Sequence, residues 1–451
     1  MARPDNIREP TRIYQQTLLV SQFQNQHIKN SSHIMTQLIT YKHSRLMMED
    51  VDIAKLAEIT PTPFYVYSAG TMRARFNQLV RAVNHPRVKI FFAVKANSNI
   101  AVLSVLANVG ANMDIVSVGE MKRALAAGIS GNRIVFSGVG KTDEELAFAL
   151  QNNIYQINAE SLPELDAINR VAASLNVTAP VALRINPDVD AQTHAKISTG
   201  KDQNKFGISW EQVEETFRHA AGLSHINVMG LSAHIGSQIT TTEPFINSAT
   251  RMEEMVARLR SAGHIIQRIS LGGGLGIPYQ GENIPVTEFG KLVHDFAEKM
   301  NCDVELEPGR FLVGEAGILV TKVIYVKDTS SKKFLIVDAA MNDLIRPTLY
   351  EAYHPIAKVL GDPKAAASQP YDIVGPICET GDYLAENRTL PPCQAGDLIA
   401  IFMAGAYGAT MSSMYNSRNL IGEVIVDGHK ASVVRKPLTI EQQLLWETIP
   451  A

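Results

Sequence analysis

The fold is decided by the stretch from Val88 to Val139, VKIFFAVKANSNIAVLSVLANVGANMDIVSVGEMKRALAAGISGNRIVFSGV. It contains three short apolar runs rich in β-branched and aromatic residues, VKIFFAV (88–94), MDIVSV (113–118) and RIVFSGV (133–139). Longer amphipathic stretches separate these runs, such as SVGEMKRALAAG (117–128). This alternation predicts parallel strands that are covered by helices.

Five further apolar runs continue the same alternation towards the middle of the chain. They are YQINA (155–159), VALRIN (181–186), INVMGLSAHI (226–235), QRISLG (267–272) and CDVELE (302–307). Eight strand-helix repeats within about 250 residues are typical of an α/β fold of the TIM type. We therefore predict a (β/α)8 barrel.

From residue 311 onward, strand-like runs follow one another without long helices between them. They are ILVTKVIYV, KFLIVDAA, DLIAIFMAG, EVIVDG and KASVVR. This pattern predicts an all-β C-terminal domain, a sandwich or a barrel. We divide the chain into a disordered extension (1–47), a segment whose strand TPFYVYS joins the C-terminal domain (48–70), the barrel (71–310) and the β domain (311–451).

The composition is typical of a small-molecule enzyme of the cytoplasm. The 451 residues hold 42 Lys and Arg against 45 Asp and Glu, and this net charge of −3 gives no basis for nucleic-acid binding. Three cysteines form no disulfide framework, and none lies in a metal-ligand spacing, so we expect no metal. No run approaches the roughly 20 apolar residues of a membrane span, and no signal-peptide pattern is found.

Residues 1–47 differ from the rest of the chain because they are basic and poor in acidic residues. We interpret them as a disordered extension, or as sequence upstream of a start at Met47 or Met48. An organellar transit peptide is the alternative, because such peptides are also basic and acid-poor.

Polar or glycine-rich residues follow every predicted barrel strand. The active site of such barrels forms at the C-terminal ends of the strands. The residues at these ends are Lys95, Asp114, Ser117, Ser137, Glu160, Arg184, Asn186, His234, Ser237, Gly272, Gly273, Gly274 and Glu307. We therefore expect them to surround one barrel mouth.

Lys95 and the run SLGGGLG (270–276) suggest a carbonyl cofactor with a phosphate group. Burial lowers the pKa of a lysine, and a neutral amine can attack a carbonyl to form a Schiff base. Consecutive glycines expose backbone N–H groups that suit a phosphate. A solvated lysine and a simple tight turn are the alternative interpretations. The run is not a dinucleotide fingerprint, because Ile277 occupies the position of its third glycine.

Glu307 and His234 fit the same kind of cofactor. A carboxylate beside a pyridine nitrogen would keep that nitrogen protonated and make the ring an electron sink. A histidine at a strand end could lie against a flat aromatic ring. Taken alone, Glu307 could be a solvated turn residue and His234 a hydrogen-bonded rim residue.

At this point the sequence resembles the fold-type III pyridoxal-phosphate-dependent decarboxylases, over residues 60–445. The shared strings are FFAVKAN, SVGE, RINPDVDAQTHAKISTGKDQNKFGI, HIGSQI, LGGGLGI, EPGR, DLIRPTLY, GPICETGD and AGAYG. The resemblance implies the alanine racemase/ornithine decarboxylase-like combination of a barrel with a β domain. It also implies pyridoxal 5'-phosphate as cofactor and decarboxylation of meso-diaminopimelate to L-lysine.

The resemblance also implies roles for individual residues. Lys95 would bond the cofactor covalently, His234 would stack on its ring, and Glu307 would pair with the pyridinium nitrogen. The resemblance implies that the phosphate and the rest of the cofactor are bound by Ser237, Gly272, Gly273, Gly274, Pro308, Gly309, Arg310 and Tyr407. The substrate-binding residues would be Arg310, Arg346, Tyr350, Glu379 and Tyr407, and arginine suits this role because its planar fork meets a carboxylate bidentately.

GPICETGD carries Cys378 and Glu379, which in the resembled family reach into the active site of the neighbouring subunit. The resemblance therefore implies a homodimer with its active sites at the interface. Cys378 would donate the proton that replaces the departing carbon dioxide, and Glu379 would bind the distal amino group of the substrate.

Three points remain hypotheses from the sequence. Residues 187–209 fit a loop that covers the site, because they contain glycine and charged residues between two strands. A decarboxylase of another basic amino acid, such as ornithine or arginine, is an alternative function. A non-catalytic regulatory homologue is the other, although it would be expected to lack some of the cofactor residues.

Overall fold

The computed structural model describes residues 38–191, 205–362 and 368–450. At its N-terminal side, β1 (Ile39–Lys42), β2 (Arg45–Met48) and β3 (Val51–Asp52) form a small antiparallel sheet. The helix Ile53–Ile59 and strand β4 (Phe64–Ser68) follow.

The sheet corrects one prediction, because residues 38–47 were assigned to a disordered extension. Leu46 and Met48 alternate with partly exposed residues along β2, and both are buried in one apolar cluster with Phe64 of β4. The Leu46 N–H also donates to the Val359 carbonyl, at 2.9 Å. The basic composition of the whole segment concealed this short alternating pattern. Residues 1–37, the rest of the predicted extension, lie outside the described residues.

The predicted eight-stranded barrel is confirmed. Its strands are β5 (Val88–Ala93), β6 (Asn112–Ile115), β7 (Ile134–Phe136), β8 (Gln156–Ala159), β9 (Ala179–Arg184), β10 (Ile226–Ser232), β11 (Arg268–Ser270) and β12 (Asp303–Leu306). Each strand pairs in parallel with the next along the chain, and β12 closes the barrel by pairing with β5. All eight strands were predicted.

Eight helices alternate with the strands and cover the barrel. They are Ala69–Val83, Ile100–Asn108, Val118–Ala126, Asp143–Gln151, Leu162–Ser174, Val213–Ala221, Glu243–Ser261 and Val286–Met300. Ser117 shows why some predicted strands were too long, because its hydroxyl accepts from the Glu120 N–H and caps a helix there. None of the helices within the described ranges is long and apolar enough to cross a membrane.

The C-terminal part is a separate, mostly antiparallel sheet. Its strands are β13 (Gly317–Asp328), β14 (Lys333–Val337), β15 (Ile356–Lys358), β16 (Gln369–Val374), β17 (Tyr383–Leu390), β18 (Leu398–Ile401), β19 (Gly422–Asp427) and β20 (Lys430–Arg435). Three short helices accompany it, Arg310–Val313, Arg346–Tyr350 and Ile440–Leu444. The sequence pattern missed β15, β16 and β17, because they are short or carry polar residues such as those of YLAENRTL.

One strand of this sheet, β4, precedes the barrel in the sequence. β4 pairs antiparallel with β13 and parallel with β19. A second contact lies at the barrel mouth, where the Asn97 side chain donates to the Gly405 carbonyl at 3.0 Å. These contacts bring the loop after β18 to the C-terminal end of β5, the position of Lys95.

Candidate active site

Lys95 lies at the barrel mouth, in the short turn Val94–Ala96 that follows β5. Its Nζ donates to Oδ2 of Asp114 at 2.7 Å, and 35% of its side chain is exposed. Burial lowers the pKa of Lys95, but the attraction of Asp114, Tyr407 and Glu307 outweighs burial, so the pKa is raised. The expected lowering is therefore wrong for the protein without cofactor, because it considered burial without the neighbouring acids.

Asp114 is the fully buried partner that holds the Lys95 ammonium in place. It lies on β6, and its second oxygen, Oδ1, has no hydrogen-bond partner among the described residues. The ion pair with Asp114 fixes the direction of the Lys95 amine, which stays partly exposed at the mouth. The amine becomes nucleophilic only after it passes a proton on, and Asp114 is the nearest acceptor.

Glu307 directly follows β12 and is buried. The Ser270 hydroxyl donates to its Oε1 at 2.7 Å. Burial and the charge of Asp114 raise the pKa of Glu307 above its usual range. Without a cationic partner this carboxyl therefore retains a proton that it can share with a basic ring nitrogen.

His234 follows β10 and is held as a neutral ring. Burial lowers its pKa well below the ordinary value, and the positive charges of Arg184 and Lys95 lower it further. The Gly273 N–H donates to His234 Nδ1 at 3.2 Å, which assigns the ring proton to Nε2. A neutral imidazole at this position can lie against a protonated pyridine ring without charge repulsion.

The glycine run after β11 needs its glycines for close packing. A Cβ on Gly272 would lie 2.3 Å from the Ala233 carbonyl oxygen, and a Cβ on Gly273 would lie 2.1 Å from the Glu307 carbonyl oxygen. Gly272 and Gly274 also have positive φ angles, of 71° and 111°. Within the described residues the Gly274 N–H makes no hydrogen bond, so it is available to an acceptor such as a phosphate oxygen.

Two buried arginines converge on one tyrosine. Nη1 of Arg310 and Nη1 of Arg346 donate to the Tyr279 hydroxyl, at 2.7 and 2.8 Å. In the part of the chain that the structure describes, neither guanidinium forms an ion pair, and the Nε atom of each lacks a partner. Burial and the charge of Arg310 lower the pKa of Arg346. Such an uncompensated pair of cations favours an anionic ligand.

The two arginines are held by further neighbours at the mouth. Arg310 Nη2 donates to the Ser237 hydroxyl at 3.2 Å, and Arg346 Nη1 lies 2.7 Å from Nε2 of the buried His354. Tyr350 is one helical turn from Arg346, at the end of the same short helix. These contacts bring Ser237, Arg310 and Arg346 together at one side of the mouth.

Tyr407 contacts both the turn that carries Lys95 and the arginine pair. Its N–H donates to the Ala96 carbonyl at 2.8 Å, and its ring centroid lies 4.9 Å from the Arg310 guanidinium carbon. Its φ of 56° is uncommon for a tyrosine and is fixed by the surrounding contacts. Pro308 and Gly309 directly follow Glu307, and the Pro308 carbonyl accepts a hydrogen bond from the Ala93 N–H of β5.

Cys378 and Glu379 lie elsewhere, on an exposed turn between β16 and β17. The Cys378 N–H donates to Asn416 Oδ1 at 2.9 Å, and Glu379 accepts a hydrogen bond from Tyr415. No hydrogen bond or ion pair among the described residues joins this turn to Lys95 or Glu307. One chain therefore does not bring these two residues into the barrel mouth.

Sequence reasoning missed Tyr279 and His354. Tyr279 follows the glycine run in GIPYQG, in a loop after β11, so its place at a strand end was the available signal. His354 precedes β15, a strand that the pattern did not predict, and nothing in the sequence indicated its contact with Arg346. The predicted covering loop, residues 187–209, lies outside the described residues from 192 to 204.

Comparison with known proteins identifies the family. Residues 69–314 match the family model of the pyridoxal-dependent decarboxylase, pyridoxal binding domain. The chain is 46% identical over 411 residues to a diaminopimelate decarboxylase of Pseudomonas aeruginosa, covering 91% of this chain and 98% of that protein. It is 47% identical over 406 residues to the diaminopimelate decarboxylase of Zymomonas mobilis, covering 89% and 96%.

Solved structures agree with this relationship. A crystal structure of diaminopimelate decarboxylase from M. jannaschii, in complex with L-lysine, has a TM-score of 0.87 and 35% identity. It covers 91% of this chain, and the match spans 98% of that structure. The chain belongs to the diaminopimelate decarboxylases, within the pyridoxal-dependent decarboxylase family.

Proposed function

We propose that this protein removes one carboxylate of meso-diaminopimelate as carbon dioxide and releases L-lysine, using pyridoxal 5'-phosphate. The carrying observation is the buried pair Arg310 and Arg346, which has no carboxylate partner among the described residues and lies beside Tyr407 at the mouth that holds Lys95. A substrate with a carboxylate at its distal end would supply the missing anion. Ornithine and lysine carry no such distal carboxylate.

The residues at the mouth fit pyridoxal phosphate. Lys95 would bond it, His234 would cover its ring, and Glu307 would face the ring nitrogen. The phosphate would be held by the Gly272–Gly274 backbone with Ser237 and the start of the helix at Gly309 and Arg310. When bound, the cofactor supplies an electron sink for the electron pair left by the departing carboxylate.

The chain's own groups would control protons and charge around this chemistry. Asp114 takes up the proton that Lys95 must lose before its amine can react. Glu307, whose pKa is raised by burial and by the charge of Asp114, would hold a proton at its carboxyl, and as a carboxylate it would pair with a protonated ring nitrogen. Neutral His234 adds no positive charge that would oppose this pairing.

The substrate would be oriented from its distal end. Arg310 and Arg346 would bind the distal carboxylate, with Tyr350 and Tyr407 beside it. Because Tyr279 already accepts from both guanidinium groups, these cations are preorganised before the substrate arrives. Glu379 would bind the distal ammonium.

We propose a homodimer, because Cys378 and Glu379 lie on an exposed turn and form no hydrogen bond or ion pair with Lys95 or Glu307 among the described residues. A second subunit would supply both residues, with Cys378 donating the proton that replaces carbon dioxide. The free state of the cysteines supports a cytoplasmic location.

The direct test measures carbon dioxide released from purified protein with pyridoxal phosphate. Release from meso-diaminopimelate, and not from ornithine, arginine or lysine, is the expected result. Release only from another amino acid would move the substrate assignment and keep the chemistry. A protein that binds the cofactor but releases nothing from any of the four would support the regulatory alternative.

A further inference from the structure

His354 is a fully buried histidine to which the proposed function gives no role. It lies between the short helix Arg346–Tyr350 and strand β15. Its Nδ1 is 2.9 Å from the Phe402 carbonyl oxygen, and its Nε2 is 2.7 Å from Nη1 of Arg346. The Tyr279 ring packs edge to face against it, with the ring centroids 5.3 Å apart. His354 therefore contacts both Arg346 and the tyrosine on which the arginine pair converges.

These two polar contacts assign the proton of the His354 ring. A carbonyl oxygen can only accept a hydrogen bond, so Nδ1 carries the proton and donates to Phe402. A guanidinium can only donate, so Nε2 presents its lone pair to Arg346. A second ring proton would place two donors and two positive charges 2.7 Å apart. The hydrogen-bond geometry therefore requires a neutral imidazole.

The Arg346 guanidinium has one nitrogen engaged and one edge open. Nη1 donates to the Tyr279 hydroxyl at 2.8 Å and to His354. Among the described residues, neither Nε nor Nη2 has a hydrogen-bond partner. In a guanidinium the Nε–H and one Nη2–H point the same way, along the edge remote from Nη1, and this fork matches the two oxygens of a carboxylate. The edge that binds a carboxylate bidentately is therefore the one left open.

The partners of Arg346 differ in charge from those of Arg184, a buried arginine at the end of β9. Nη1 of Arg184 donates to Oε1 of the Glu160 carboxylate at 2.9 Å, so its charge is balanced within the chain. Arg346 instead donates to two neutral acceptors, an oxygen and a ring nitrogen. Neutral acceptors hold a guanidinium in place without balancing its charge, so its attraction for an incoming anion is retained.

The imidazole is itself fixed by a pair of hydrogen bonds with one neighbouring segment. The Phe402 N–H donates to the Pro355 carbonyl at 2.8 Å, and the His354 Nδ1–H donates to the Phe402 carbonyl. Phe402 directly follows β18 and begins the segment that leads to Tyr407. These bonds set the position of Nε2, and through it the position of Nη1 of Arg346.

We propose that His354 is a positioning residue, a neutral acceptor that fixes the open Nε–Nη2 edge of Arg346 and leaves its charge available to the distal carboxylate of the substrate. The proposal rests on the proposed function, because Arg346 binds that carboxylate there. A protonated histidine could not accept from Arg346, and an acidic residue would already balance its charge. The neutral ring meets both requirements.

Two neutral variants separate the two contacts of His354. His354→Gln places an amide oxygen near the position of Nε2, whereas His354→Asn places an amide nitrogen near Nδ1 and keeps only the donor to Phe402. The probe is pimelate, which has the carbon chain and both carboxylates of diaminopimelate but no amine. Calorimetry measures its binding to the protein loaded with pyridoxal phosphate. We expect the Kd of pimelate to rise about tenfold in His354→Asn and to stay within about threefold in His354→Gln.

His354→Glu tests whether the acceptor must be neutral. It differs from His354→Gln only in charge and would pair with Arg346, so we expect the Kd of pimelate to rise more than about tenfold. His294→Asn is the control, because His294 also has Nδ1 close to a backbone carbonyl, that of Val83 at 3.0 Å, but lies on the helix Val286–Met300 that covers the barrel. It should bind pimelate as the wild type does. The melting temperature without pimelate shows whether each variant is folded.

Three results would overturn the proposal. They are wild-type affinity in a folded His354→Asn, equal affinities of His354→Gln and His354→Glu, and a wild type that binds no pimelate. A loss confined to His354→Gln would likewise overturn it, because the Phe402 contact alone would then matter. If His354→Asn does not fold, the comparison of the other two variants decides.

Kinetics with meso-diaminopimelate separate this proposal from the proposed function. His354→Asn should raise KM about tenfold and leave kcat within about twofold, because the weakened contact is made before and during the reaction alike. A lower kcat with an unchanged KM would contradict the positioning role. If the wild type releases no carbon dioxide but the ranking of pimelate affinities holds, the proposed function fails and the role of His354 stands.

Discussion

The barrel mouth and the turn that carries Cys378 differ in how complete they are within one chain. At the mouth, Lys95 and Glu307 each have a close partner, Asp114 and Ser270, before any ligand is bound. The turn is equally well held, because Asp382 accepts from the Met341 and Ile377 N–H groups, at 2.7 and 2.6 Å. Cys378 and Glu379 on this turn are nevertheless exposed.

This difference suggests that the two regions contribute different parts of the proposed site. The buried half of the proposed site would bind the cofactor and the distal carboxylate, and the folding of a single chain brings its residues together. The exposed half is held by hydrogen bonds within its own chain, and in the proposed dimer it would act only in the site of a second subunit. Variants of the two halves should therefore behave differently in stability, in activity and in mixtures.

The largest effect is expected for Lys95→Ala. Loss of the bonding amine should remove the absorbance band of the bound cofactor and lower kcat on the order of 10⁴-fold or more. Lys322→Ala, an exposed lysine of β13, is the control and should keep both. A Lys95→Ala protein that retains the band would remove Lys95 from its proposed role.

Cys378→Ala should lower kcat about 10³-fold, within the range of a lost general acid, while the cofactor band stays. Cys393→Ala, in the same domain, should be close to the wild type. The comparison is sharpened by mixing subunits of Cys378→Ala with Lys95→Ala. Random exchange makes half of the dimers mixed, and each has one intact site, so about one quarter of the wild-type activity should return. No recovery after proven exchange would mean that the turn does not serve a second subunit.

Arg346→Met should lower kcat/KM for meso-diaminopimelate about 10²-fold, because a charged hydrogen-bonding partner of the substrate is lost. The same change removes an uncompensated buried cation beside Arg310, so the protein without ligand should become more stable by about 1 kcal/mol. Arg388→Met is the control, because Arg388 also stacks on a tyrosine ring, that of Tyr353. A loss of both activity and stability would show that Arg346 is structural.

The two halves also differ in how far the sequence predicts them. The eight barrel strands repeat one pattern, and the fold itself collects their ends, so Lys95, His234 and Glu307 were expected at one mouth before the structure was known. Their roles with the cofactor are proposals that the chemistry of these residues suggested first and the family resemblance then supported. Tyr279 could not be predicted as the meeting point of two arginines, because that depends on how two distant loops pack.

The C-terminal half was less predictable for a physical reason. β16 and β17 carry polar residues on exposed faces, so hydrophobic alternation is weak there. The pKa of Lys95 was also predicted in the wrong direction, because a sequence reveals burial more readily than the charges that surround a buried amine. Contacts between distant segments decide such details, and they follow only from the folded structure.

The smallest effect concerns Glu120, a half-buried acid near the mouth whose Oε2 accepts from the Val116 N–H at 2.8 Å. Burial raises its pKa from 4.5 to about 7. The unfolded chain loses this proton first as the pH rises, so the folded state binds more protons and stability falls between pH 4.5 and 7. Glu120→Gln should reduce that fall by about 1 kcal/mol, a value lowered for partial exposure, in denaturant unfolding of the protein without cofactor. Exposed Glu144→Gln should leave the pH dependence unchanged. If the two variants show the same pH dependence, the charge at Glu120 does not limit the stability of the mouth.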